Sequence, residues 1–116
     1  MTLASLNTDG KEAGGVTGRV AISGDGNRVG FSTTADGYTP ADSGGISDVF
    51  VRDIAAASTF KVSVDPVGDQ GNDHSGFQGY LGLSRDGSAV SFESGATNLV
   101  TDDTNDAPDV FVWRAL

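Results

Sequence analysis

Apolar residues in this chain come in short runs, each closed off by Gly, Asp, Asn or Ser, and none sustains a credible helix. Val20-Ala21-Ile22-Ser23 and Arg28-Val29-Gly30-Phe31-Ser32 flank Gly24-Asp25-Gly26-Asn27. Such a stretch predicts a hairpin, because the turn needs a positive φ that Gly adopts without steric penalty. Further strands are predicted at Asp48–Arg52, Phe60–Val64, Tyr80–Ser84, Ala89–Glu93 and Asp109–Trp113. The Val-Phe-Val runs do not alternate apolar with polar, so they suit sheets covered on both faces. The expected class is all-β.

The pattern repeats. Ser23-Gly24-Asp25-Gly26 returns as Ser84-Arg85-Asp86-Gly87, an offset of 84 − 23 = 61. The same offset joins Val29 to Val90, Phe31 to Phe92, Ala35 to Ala96, Asp42 to Asp103, and Asp48-Val49-Phe50-Val51 to Asp109-Val110-Phe111-Val112. Upstream, Leu6–Gly10 aligns with Val64–Gly68 at 64 − 6 = 58, so the second unit carries about three extra residues between Gly68 and Gly79.

Labelled a to d from an axis outward, the strands begin with a d-type segment at Thr2–Asn7 and then run a, b, c, d, a, b, c. This predicts two four-stranded antiparallel propeller blades in one unit spanning 1–116. The first blade covers 19–65, the second covers 79–116 without an outer strand of its own, and 2–7 completes a neighbour's blade. Two wedge-shaped sheets do not circle an axis, and rings hold about four to eight blades. Closure by strand exchange among two, three or four copies is therefore expected.

The residues Ser23-Gly24-Asp25-Gly26-Asn27-Arg28-Val29-Gly30-Phe31 and Asp48-Val49-Phe50-Val51, and their second copies with Ala96-Thr97-Asn98-Leu99-Val100, form a motif. It resembles the WD40-like (PD40) repeat of TolB-like β-propellers over almost the whole chain. The resemblance implies six blades, hence a homotrimer, acting as a scaffold or binding module. Some propellers of this kind carry lyase or peptidase-associated roles, so an enzyme or accessory domain is the alternative.

Composition narrows the partners. Sixteen Asp and Glu against seven Lys and Arg give a net charge of −9, with no basic stripe for phosphate, so neither nucleic acid nor an anionic membrane is an expected partner. The chain has no Cys, which removes disulfide and thiolate chemistry. No apolar stretch is long enough to span a bilayer and no signal peptide is evident, so a soluble chain of unspecified compartment is expected.

Long loops are predicted at Gly10–Gly18, Thr33–Ser47, Asp65–Gly79 and Ser94–Pro108, all on one face of an up-and-down blade. That face is the expected binding surface for a protein, peptide or glycan ligand, with Tyr38, Asp73, His74 and Phe77 as candidate contacts. In the run Thr101–Asp109, residues Asp102, Asp103, Asn105 and Asp109 are candidate calcium ligands, since hard cations take clustered oxygens. The run lacks the EF-hand order, and Asx turns explain the same residues. No cofactor is otherwise expected. No catalytic constellation is visible: His74 stands beside Asp73 and Ser75, and sequence neighbours do not converge as a triad does. Phe31, Phe50, Phe92 and Phe111 recur and are assigned to the core, while Trp113 is expected to pack under a neighbouring copy's N-terminal strand.

Overall fold

The computed structural model describes residues 1–14, 17–40 and 44–115. Asp42, one of the recurring acids, lies outside them. All described regular elements are strands. They are β1 (Thr17–Ile22), β2 (Arg28–Thr33), β3 (Asp48–Asp53), β4 (Ser58–Lys61), β5 (Gly82–Leu83), β6 (Ala89–Ser94) and β7 (Asp109–Arg114). They form two antiparallel sheets, β1-β2-β3-β4 and β5-β6-β7.

The repeat is reproduced pair by pair. β2 meets β3 from Arg28↔Asp53 to Thr33↔Asp48, and β6 meets β7 from Ala89↔Arg114 to Ser94↔Asp109, with every partner displaced equally. The hairpin motif explains itself atom by atom. The Ser23 hydroxyl donates to Asp25 Oδ1 (2.6 Å) and accepts the Arg28 amide (2.9 Å), while Asp25 Oδ1 also accepts the Asn27 amide (2.9 Å). Ser84, Asp86, Ser88 and Ala89 repeat those bonds at 3.2, 3.0 and 3.0 Å. Gly26 and Gly87 occupy φ of 77° and 73°, where a Cβ would be strained. Hydrogen bonds to the ionised form, led by the Ser23 hydroxyl for Asp25 and by Ser88 for Asp86, hold both carboxyls below the usual range.

The extra residues fall at the end of the expected Gly68–Gly79 region. The bridge Ser75↔Ser94 corresponds to Thr17↔Thr33, and the ladder resumes only at Gly82↔Ser91. The three extra residues therefore lie within Gly76–Tyr80, which stands where the first unit has only Gly18 and Arg19, and β5 is shorter than the expected Tyr80–Ser84. Residues 2–5 are irregular. Leu6 bridges Glu12 as Val64 bridges Gln70, and the turns after both are closed alike, Asn7 N–H to Lys11 O and Asp65 N–H to Asp69 O.

One core lies between the sheets. Val49, Val51 and Val62 of the first sheet pack with Leu81, Val90, Phe92, Ala96 and Leu99 of the second. Gly30 admits a close approach, for a Cβ there would lie 2.7 Å from Leu83 Cδ1. On the opposite side of the first sheet, Phe31, Phe50, Tyr38 and Ala35 form a second cluster. Within the chain Trp113 packs across the two sheets, its ring 5.2 Å from that of Phe60.

Gly30→Ala is expected to lower unfolding stability in urea by about 1–3 kcal/mol, because Leu83 must move from a filled seat. Gly14→Ala, whose added Cβ meets nothing within 4 Å, should leave the midpoint unchanged.

Candidate functional site

Three of the four loop-face candidates come together. Asp73, His74 and Phe77 share the loop between β4 and β5, with the His74 and Phe77 rings 4.8 Å apart and Phe77 53% exposed. His74 Nδ1 accepts the Ser47 amide at 2.8 Å and Asp73 Oδ1 accepts the His74 amide at 2.7 Å. Ser75 and Ser94 share a buried hydroxyl–hydroxyl bond of 2.7 Å. His74 thus ties two loops together through the backbone, and the neighbouring serine is engaged elsewhere rather than paired with it.

Tyr38 is the correction. Its ring is 2% exposed and sits against Phe31 and Phe50, at centroid distances of 5.3 and 5.1 Å. It is core and not a ligand contact. At the repeat offset Tyr38 matches Leu99, itself buried in the other cluster, and this apolar correspondence is the sequence signal that locates it.

The acidic loop follows β6. Asn105 Nδ2 donates to Asp109 Oδ1 at 3.0 Å, and Asn105 Oδ1 accepts the Ala107 amide at 3.1 Å. Asn105 therefore builds an Asx turn and turns its amide, not its oxygen, toward Asp109. Asp102 is exposed, and no group of three or more acidic, His or Cys side chains is arranged to hold a metal among the described residues. Both Asp103 carboxylate oxygens are shielded without a hydrogen-bond partner, although the residue as a whole is partly exposed. That desolvation, reinforced by the charge of Asp109 and then of Asp102 and Asp106, pushes the Asp103 carboxyl up.

Asp48, the first-unit counterpart of Asp109, shows what the position does in a complete sheet. It is fully buried and meets Lys61 Nζ at 3.2 Å and the Ser63 hydroxyl at 2.9 Å. Both donors come from β4 and the residues after it. β7 has no ladder partner on its outer edge among the described residues.

The most unusual surface is apolar. Within the chain, the face of the first sheet that carries Val49 and Val51 covers the face of the second that carries Leu81 and Leu83. Each face has a repeat counterpart with exposed apolar side chains, although on the first sheet Phe31 and Phe50 of that face are covered. Val110 and Val112 match Val49 and Val51 but are 76% and 54% exposed, against 0% for both first-unit valines. Val20 and Ile22 match Leu81 and Leu83 but are 67% and 61% exposed. Each pair leaves large apolar side chains in contact with water. Compared with known proteins, the chain matches no family model, no curated protein and no solved structure.

The raised Asp103 carboxyl has a definite sign. An acid whose folded pKa exceeds its unfolded value favours folding below the unfolded pKa and loses that contribution as pH rises through the folded one. Asp103→Asn should therefore raise the melting temperature at pH 7, with the gap to the parent chain closing by about pH 3. A gap that persists at low pH would place its origin outside this ionisation.

Proposed function

We propose that the chain is a two-blade unit of a TolB-like β-propeller that stacks head to tail with copies of itself and serves as a scaffold or binding platform. The observation that carries this reading is the pairing of faces. The inter-sheet contact inside the chain uses one face of each repeat, and the two bare faces are the same two surfaces at the same repeat positions. A second copy placed as the second sheet lies on the first would seat its Val20 and Ile22 against Val110 and Val112. The arrangement is heterologous, so it continues until the ring closes. Three copies give the six blades that the motif resemblance implies.

In that ring the long loops stand on one rim, where Asp73, His74 and Phe77 meet solvent and a protein, peptide or glycan ligand is read. No observation favours the enzymatic alternative, since His74 Nδ1 accepts the Ser47 amide and the Ser75 hydroxyl is bonded to Ser94 rather than to His74.

Burying two valines contributes about 3 kcal/mol, which is more than a hundredfold in association. Val110→Asp with Val112→Asp should yield a monomer by gel filtration, and so should Val20→Asp with Ile22→Asp. Mixed together, the two variants each keep one intact face of opposite kind, so they should form a one-to-one pair and nothing larger. Failure to pair would contradict head-to-tail stacking.

A further inference from the structure

The bare faces leave a second feature unexplained. A groove of about 810 Å³ runs beside the unpaired edge of β7, walled by Phe60, Val62 and Val64 on one side and Leu99, Phe111 and Trp113 on the other. In the first sheet the corresponding seat beside β3 is filled, by β4 and its continuation to Val64. We infer that this groove is the seat of residues 1–6 of a second copy, paired antiparallel to β7 in the register that β4 takes on β3.

The chain's own first residues are held on the wrong side. Thr59 donates its hydroxyl to Leu6 O at 2.6 Å, and the Thr8 amide donates to Tyr38 O at 3.1 Å. Tyr38 belongs to the cluster on the far face of the first sheet, away from the groove. A second copy stacked on the Val110 and Val112 face carries that anchor with it and delivers its residues 1–6 to the open edge.

Register follows from the repeat. The turn after Leu6 is built like the turn after Val64, with Asn7 Oδ1 accepting the Asp9 and Lys11 amides just as Asp65 Oδ1 accepts those of Val67 and Asp69. Counting back from the matched turns sets Thr2 at the position of Phe60, Leu3 at that of Lys61 and Ser5 at that of Ser63. Phe60 pairs with Val51 and Lys61 with Phe50, so Thr2 lies opposite Val112 and Leu3 opposite Phe111. Leu3, 52% exposed in the single chain, then drops onto the apolar walls. Ser5 brings a hydroxyl to Asp109 as Ser63 does to Asp48. A lysine stands at the first-sheet position and a leucine here, which fits an apolar groove rather than a buried ion pair.

This inference rests on the head-to-tail reading, and one experiment separates the two. The chain has no Cys, so an introduced pair reports cleanly. Thr2→Cys with Val112→Cys places both thiols on one face at a directly opposed pair, within disulfide reach. Leu3→Cys with Val112→Cys places them on opposite faces, because one residue of slip reverses every side chain. After oxidation, the first variant should run on a non-reducing gel as covalent multimers and the second at the mass of one chain. Light scattering on the same samples reports assembly independently. Assembly without selective cross-linking, or a cross-link confined to one chain, overturns the strand placement and leaves stacking intact. A monomer with no cross-link overturns both.

Discussion

The contact between the two sheets governs the rest of the molecule. Val49 and Val51 on one side and Leu81, Val90 and Phe92 on the other form a continuous core, and Gly30 lets Leu83 approach closely. Hydrophobic burial of this kind is the dominant favourable contribution to folding, and it scales with the area covered. A chain of 116 residues split between two sheets covers only one face of each in this way. The first sheet recovers part of its other face with Phe31, Phe50 and Tyr38, and the second recovers little. Val110 and Val112 on one side, and Val20 and Ile22 on the other, are exposed at the repeat positions that pack between the two sheets.

Polar groups follow the same division. Asp48 is buried against Lys61 and Ser63, whereas Asp109 faces an Asx turn and Asp103 is shielded without a partner. Buried carboxylates need donors, and a carboxyl deprived of them becomes harder to ionise. In the acidic loop the Asn105 side chain completes a turn and donates its amide to Asp109.

Much of this was legible in the residues because it is local. Ser-x-Asp-Gly dictates the hairpin through bonds spanning at most five residues, and the pairing of β6 with β7 follows from β2 with β3 because register is set by the alternation of faces. The recurring phenylalanines were readable as core for the same reason. What escaped was non-local. Tyr38 is core because its repeat counterpart Leu99 is also buried, and the repeat preserves burial and not aromaticity. Trp113 meets Phe60 across the inter-sheet contact, which no short-range pattern encodes. The three extra residues, expected between Gly68 and Gly79, are confined to Gly76–Tyr80 by the Ser75↔Ser94 bridge, a pairing between distant segments. Of the loop candidates, Asp73, His74 and Phe77 share a loop and so were placed together by sequence, while the backbone role of His74 depended on a partner 27 residues away.

The central claim is that the two bare faces are halves of one interface, and the mass of the unmodified chain in solution tests it most directly. Light scattering over a dilution series should give a discrete particle of about three times the 11.8 kDa chain, with no population growing beyond it. A particle of a single chain mass at every concentration would contradict the account.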